Sequence, residues 1–426
     1  MTNSNYTSNE NIDMSDDTSD DGLYHQSSGP SYRLARFTRP LIDYVRNEWQ
    51  TGTKYSHLPT SSTSERSESP RWVQMITSIV TAPRFRRYVV VYLTLLLSCF
   101  VGWKFVLSPR LQEHSALLRS LDPNVKDEVG GWFGSNALPT FDNIVQLRDL
   151  DPSYLPAEKA AGPNELNQRR LIMIGDVHGC KEELETLLEQ IEFDEESDHL
   201  VFTGNLIDKG PDSLGVVDLV RKYSASCVRG NHEDRILVLR HDLIAAKILE
   251  DTSQDDENDF GQDPSGRKLA RKMTDEQAKW LDTCPVILNI GQIKGLGQTV
   301  VVHSGLVPGV DLEKQDPFSA MTMVTIDLER HVPSSSQVGT HWTKLYNKQQ
   351  SLLYSSVEKT VEDPKSMLTT VIYGHDSYNS LSLKTYTKGL DTGCVEGGKL
   401  TALVISDGGE QKVVQVGCND YSKNWT

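Results

Sequence analysis

Five times between residues 170 and 376, a short apolar run ends beside glycine and a knot of Asp, Asn or His. RLIMI leads into Gly175-Asp176-Val177-His178-Gly179. HLVFT leads into Gly204-Asn205-Leu206-Ile207-Asp208-Lys209-Gly210. SASCV leads into Arg229-Gly230-Asn231-His232-Glu233. Later come Val302-His303-Ser304-Gly305 and Tyr373-Gly374-His375-Asp376. Runs this short, rich in Val and Ile and bounded by glycine, read as buried strands. The C-terminal ends of such strands lie along one rim of a sheet, so clusters far apart in sequence can meet there. Glycine at each end lets the chain turn sharply and lets a ligand approach the backbone.

The segments between the first runs are helical. In CKEELETLLEQI, Leu184, Leu187, Leu188 and Ile191 share one face. DSLGVVDLVRKY and HEDRILVLRHDLIAAKIL repeat the pattern. The β-α-β-α-β order predicts an α/β fold with a parallel portion of sheet. Downstream, QTVVVHSG, TTVIYGHD, SLKTYTKG, LTALVIS and KVVQVGC predict a second, mostly antiparallel layer. EDTSQDDENDFGQDPSGRK reads as an exposed acidic insertion.

The N-terminal part differs. Residues 1–84 are dominated by Ser, Thr, Asn and Asp, which bury too little surface to offset the entropy of ordering. From Tyr88 to Leu107 the only charge is Lys104. About 20 apolar residues span a bilayer, and a lysine near the end can snorkel. A buried core helix is the alternative, but the run follows a polar tail rather than other folded elements. It lies too far into the chain to be a cleaved signal peptide. Arg84, Arg86 and Arg87 precede it, whereas Lys104, Arg110 and Arg119 are spread along the other side. That bias predicts a cytoplasmic tail and a lumenal or external C-terminal domain. The Asn-x-Thr sequon at Asn424 agrees with it. The expected organisation is a disordered tail (1–84), a signal-anchor helix (88–107), a stalk (108–168), a catalytic domain (169–418) and a short tail (419–426).

The formal net charge is −16, and the first 87 residues hold ten charges of each sign, so the excess falls on the remainder. Such a domain is a poor nucleic-acid binder. No pair among the six cysteines has C-x-x-C spacing, which argues against a zinc ribbon or thioredoxin-like site. A lumenal domain leaves room for one disulfide among Cys180, Cys227, Cys284, Cys394 and Cys418.

Asp and His are the usual ligands of zinc, manganese and iron. Two such ions about 3.5–4 Å apart can generate a hydroxide and hold both phosphoryl oxygens during in-line displacement. In combination, the five clusters resemble the signature of the phosphoprotein phosphatase (calcineurin-like metallophosphoesterase) superfamily: GDxHG, GDxxDRG, GNHE and two later histidines. Leu390-Asp391-Thr392-Gly393-Cys394-Val395, followed by Gly397-Gly398-Lys399-Leu400-Thr401-Ala402-Leu403, is similar to the C-terminal signature of the diadenosine-tetraphosphatase branch. With a membrane anchor added, the chain resembles fungal vacuolar, zinc-dependent endopolyphosphatases. The resemblance covers about residues 169–418.

It implies a calcineurin-like β-sandwich flanked by helices and two divalent metals, zinc and/or manganese, with cobalt or magnesium as alternatives. Asp176 and His178 would bind the first ion, and Asn231, His303 and His375 the second, with position 205 bridging. His232 would be the general acid, oriented by Asp208. Arg229 and Lys209 would hold substrate phosphate. The implied activity is phosphoanhydride cleavage, with inorganic polyphosphate as substrate. A Ser/Thr protein phosphatase and a dinucleoside polyphosphate hydrolase are the alternatives. The implied setting is the vacuolar membrane with a lumenal catalytic domain, without nucleic acid or an obligate protein partner.

Three departures stand out. Lys209 replaces the signature arginine and loses its bidentate fork. Ser377-Tyr378-Asn379-Ser380-Leu381 lacks the Lys-Arg pair usual in that branch, leaving Lys384 and Lys399 as substitutes. Asn205 replaces the bridging aspartate, and a neutral amide offers one good acceptor where a carboxylate offers two. It allows three readings: a hydrolase with weakened metal binding, an inactive pseudophosphatase, or an inactivating substitution that traps a complex.

Overall fold

The computed structural model describes residues 70–136, 144–158, 169–247 and 263–424. The expected tail before residue 70, the expected acidic insertion as far as residue 262, and part of the Asn424 sequon lie outside the described residues. The chain divides into two compact units, Met1–Val89 and Val90–Thr426. In the first, the described residues form the helix Arg71–Thr81 and the start of the helix Pro83–Gly102.

Helical structure continues to Ser120 through a π-helical stretch, Trp103–Leu107, and the helix Ser108–Ser120. Among the described residues, Pro83–Ser120 is long and apolar enough to cross a membrane, with 38 residues and a mean hydropathy of 2.0 in its most apolar window. The expected span at 88–107 falls inside it.

The second unit contains two main sheets. In one, β2 (Arg170–Ile174), β3 (Asp198–Phe202) and β4 (Ser226–Cys227) run parallel in that order. β13 (Lys399–Ser406) lies antiparallel to β2, and β14 (Glu410–Gly417) pairs with β13. The other has the order β1 (Leu147–Asp149), β5 (Ile287–Ile293), β6 (Gly297–Val302), β10 (Thr369–Tyr373), β12 (Thr387–Gly389) and β11 (Ser382–Leu383). A small third sheet joins β7 (Thr325–Ile326), β8 (Pro333–Ser334) and β9 (Thr340–His341).

The two-residue period of a strand explains the layering. On β2, Leu171 and Met173 enter a core with Val301, Ile372 and Leu403, contributed by both sheets. Ile172 and Ile174 point the other way, into a core with Leu184, Leu187 and Val216 from the helices Lys181–Ile191 and Ser213–Lys222. On β6, Val301 faces inward, whereas Val300 and Val302 pack with Trp342 and Leu345 of the helix Trp342–Val357. Both faces of β2 and of β6 are therefore apolar, and the result is a β-sandwich flanked by helices.

Three features differ from expectation. β13 and β14 belong to the first sheet rather than a second layer: Ala402 to Ile405 pair with Ile174 to Leu171. The second sheet is mixed, because β6, β10 and β12 run parallel. Described parts of the segment expected as a stalk are built into the domain. Leu117 is buried with Val286 and Trp342, Ser120 Oγ bonds the buried His331 at 2.8 Å, and β1 pairs with β5. There are also two disulfides, Cys227–Cys284 and Cys394–Cys418. Cys180 is a buried thiol whose pKa burial pushes up to about 12.

Candidate active site

The five clusters meet where the ends of β2, β3 and β4 in one sheet face the ends of β6 and β10 in the other. A cavity of about 250 Å³ opens there, lined by His178, Asn205, Lys209, Asn231, His232 and His375 together with Ser377, Asp391 and residues 393–396. Asp176 and His303 lie beneath it, 3% and 0% exposed. The local backbone is strained. Among the described residues ten non-glycine residues have positive φ, and five are His178, Asn205, Asp208, Lys209 and His375. Each such residue costs about 1–3 kcal/mol, so the surroundings must hold these loops in place.

Glu233 does much of that holding. Its carboxylate is fully buried and accepts from four backbone N–H groups: Leu206 at 2.7 Å, Asn205 at 2.8 Å, Gly230 at 2.9 Å and Ile207 at 3.2 Å. It thus ties the second cluster to the third. Burial raises its pKa, and these N–H groups act against that rise. The sequence reading missed this role. The available signal was a glutamate in the first turn of a helix that begins at the cluster itself. Glu233→Ala should destabilise the domain by about 4 kcal/mol or more, because it leaves four buried backbone N–H groups without their acceptor at a cost of roughly 1–3 kcal/mol each. Chemical denaturation measures it, and a loss below about 1 kcal/mol, the net worth of a single ordinary hydrogen bond, would show that the node is dispensable.

Asp176 is crowded. Its Oδ1 accepts from the His375 N–H at 3.1 Å, and a Cβ on Gly374 would sit 2.0 Å from that oxygen, so only glycine fits there. Oδ2 accepts from the Asn205 amide nitrogen at 3.0 Å and lies 3.8 Å from His178 Nε2. Burial, reinforced by the nearby Asp391, raises the Asp176 pKa well above the usual carboxylate range. Asp391 itself is raised to about 6 by burial. Burial lowers His178 and His303 well below the usual imidazole value and His375 to about 4, so all three rings are neutral, the form that binds metals. Lys209 adds to this lowering in all three.

The hydrogen-bond chemistry tests whether cations fit. His303 Nδ1 faces the Thr203 carbonyl at 2.7 Å. A carbonyl only accepts, so in the neutral ring Nδ1 carries the proton and Nε2 is left as an acceptor. That Nε2 stands 3.0 Å from Asn231 Oδ1, another acceptor. Two lone pairs meet, and His375 lies beside them with its ring centroid 5.0 Å from that of His303. Donors bound at right angles to one ion at ~2.1 Å stand about 3 Å apart. A cation fits this half of the site. The other half repeats the pattern more weakly. His178 Nδ1 faces the Ile207 carbonyl at 3.3 Å, which turns Nε2 toward Asp176. There the Asn205 amide donates to the carboxylate that would serve as ligand. Among the described residues no three His, Cys, Asp or Glu side chains converge on one point, and Asn205, beside Asp176, carries an amide rather than a carboxylate.

His232 stands at the rim, with its ring centroid 4.8 Å from that of His178. Its Nδ1 bonds Asp208 Oδ2 at 2.6 Å, which orients the ring and leaves Nε2 as its other polar atom. Asp208 is held below its ordinary pKa: burial opposes ionisation, but the His232 bond and the Arg235 charge outweigh it. A second His–Asp pair, His341 Nε2 to Asp376 Oδ2 at 2.7 Å, lies next to His375 and was not foreseen.

Arg229 is 3% exposed and does not line the cavity; its Nη2 donates to Asp282 at 2.9 Å, and its Nε lies 3.4 Å from Asp234. Lys384 bonds Thr343 Oγ1 at 2.6 Å and Lys399 bonds Gln415 at 3.4 Å, and neither lines the cavity.

Fold and site define a metallophosphoesterase, and the chain belongs to the calcineurin-like phosphoesterase family, whose pattern matches residues 169–398. Members of that family use two divalent metals, and the chain is a phosphohydrolase of this type. Within the family it falls in the diadenosine-tetraphosphatase-like branch. It is 28% identical over 282 residues to the symmetrical bis(5'-nucleosyl)-tetraphosphatase of Nitrosospira multiformis, covering 58% of this chain and 94% of the relative. The protein of the same name from a Janthinobacterium species is 28% identical over 298 residues, covering 59% and 97%. A solved structure proposed to be a diadenosine tetraphosphatase shares 26% identity, with a TM-score of 0.46, over 65% of this chain and 99% of that one.

Proposed function

We propose that the chain hydrolyses phosphoanhydride bonds of inorganic polyphosphate, with a weakened but working metal centre. The observation that carries the substrate choice is the cavity lining. Among the described residues it contains no Phe, Tyr or Trp, and its volume of about 250 Å³ admits phosphoryl groups more readily than a nucleoside. Base recognition commonly relies on stacking against such rings. The names of the relatives favour a dinucleoside polyphosphate as the second reading.

Asp176 and His178 would hold one cation, and Asn231, His303 and His375 the other, with Asn205 between them. Bound there, the ions would activate water and screen phosphoryl charge. Lys209, the cation in the cavity wall, binds substrate phosphate. His232 donates the proton to the leaving oxygen, and Asp208 fixes its tautomer. Zinc or manganese suits this mix of imidazole, amide and carboxylate. Two disulfides in the catalytic unit favour an oxidising compartment. Together with the arginines before the apolar helix, this supports a lumenal catalytic domain anchored by a single span; the vacuole as that lumen rests on the resemblance to fungal endopolyphosphatases.

The test is an assay in sealed native vesicles with inorganic polyphosphate, diadenosine tetraphosphate and a phosphoserine peptide. The expected result is polyphosphate shortening that is latent until detergent is added. Faster cleavage of either other substrate would replace the substrate assignment, and activity without detergent would reverse the orientation.

A further inference from the structure

Arg235 lies one helical turn beyond His232 on the helix Asn231–Ala245. Its Nη2 donates to Asp208 Oδ2 at 2.6 Å, the same oxygen that His232 Nδ1 reaches at 2.6 Å. Its Nη1 pairs with Asp263. Asp263 is itself fixed, because it caps the helix Pro264–Lys272 by accepting the Gly266 N–H at 2.9 Å. Asp208, on a left-handed backbone at φ 76°, is also held from below, its N–H donating to Ser213 Oγ at 2.9 Å. The guanidinium therefore bridges two carboxylates, one in the dyad and one at a helix start. The Arg235 side chain is 40% exposed but does not line the cavity.

We infer that Arg235 is a positioning residue for the proton donor: by clamping Asp208 between itself and Asp263, it keeps His232 aimed at the leaving-group oxygen. The inference rests on the general-acid role of His232 proposed above. A carboxylate held by one imidazole can swing about its terminal torsion, which is broad and soft. A planar guanidinium with a second anchor removes that freedom. Lysine could restore the charge and one bond, but not the two-carboxylate bridge.

The chemistry of the leaving group separates positioning from scaffolding. Phenyl phosphate needs a proton delivered to its leaving oxygen, whereas p-nitrophenolate departs with far less help. With the full-length protein, Arg235→Ala should lower kcat on phenyl phosphate about tenfold or more, a part of the ~10²–10⁴ that a placed proton donor supplies. KM should stay within about twofold, and p-nitrophenyl phosphate should be cleaved almost as before. Arg235→Lys should recover part of the loss. Asp263→Asn should show the same pattern at smaller size and serves as the second variant if Arg235→Ala melts early. In parallel, the downfield proton resonance of the His232–Asp208 bond, identified by its absence from His232→Ala, should broaden or shift in Arg235→Ala. Equal losses on both esters, or a raised KM with unchanged kcat, would overturn the inference and make Arg235 a scaffold or a phosphate contact. If His232→Ala itself lacks leaving-group dependence, the general-acid role falls first and takes this inference with it.

Discussion

Asn205→Asp should raise metal affinity by at least the ~10–100-fold that outer-shell partners of metal sites confer, and turnover should rise with it. The asparagine bonds Asp176 through its amide nitrogen at 3.0 Å and accepts the His232 N–H at 3.2 Å. An aspartate keeps the second bond and loses the first. It places a like charge beside Asp176, whose pKa is already raised by burial. Two carboxylates this close cannot both ionise comfortably unless a cation lies between them. The metal-free variant should therefore melt below the parent, while the zinc- or manganese-loaded variant should melt above it. The thermal shift on adding metal gives a readout that does not depend on catalysis. Both signs matter: a variant that gains no stability from divalent metal, and no activity with any of them, would remove the metal pair from the account.

His232→Asn should reduce kcat on polyphosphate by ~10²–10⁴, the usual contribution of a positioned acid or base. Asparagine retains a donor toward Asp208 but cannot deliver a proton to the leaving oxygen. The His232 ring meets that of His178 only edge-on, without a hydrogen bond, and its polar link to the metal residues is the backbone bond to Asn205, so metal content should hardly change. Atomic absorption alongside the kinetic measurement checks that. A kcat within threefold of the parent at equal metal content would exclude His232 as the acid.

The parts of the site legible in the sequence are those set by strand ends. Asp176, His178, Asn205, Asn231, His303 and His375 each follow an apolar run within a few residues, and the fold needs only to close the sheets for them to meet. What was hidden depends on pairing between distant segments. Arg229 looks like a free cation beside the third cluster until Asp282, 53 residues on, accepts a bond from its Nη2. Arg235 shows its use only once Asp208 and Asp263 arrive from opposite directions. β13 and β14 carry an ordinary strand pattern, which names no partner, so their place beside β2 could not be read. β1 is three residues long, too short to show a period, and its pairing with β5 spans about 140 residues. The disulfide partners were likewise a matter of tertiary proximity.

The two leaves of the sandwich share the chemistry unequally. Asp176, His178, Asn205, Asn231 and His232 follow strands of one leaf, and His303 and His375 follow strands of the other. Asn231 and His303, the two acceptors that face each other, come from opposite leaves and meet only at the seam. No contiguous fragment of this chain short of nearly the whole sandwich can carry the constellation. Gene splitting or loop transplantation would deliver half a centre, and the smallest heritable unit of this activity is the closed pair of sheets.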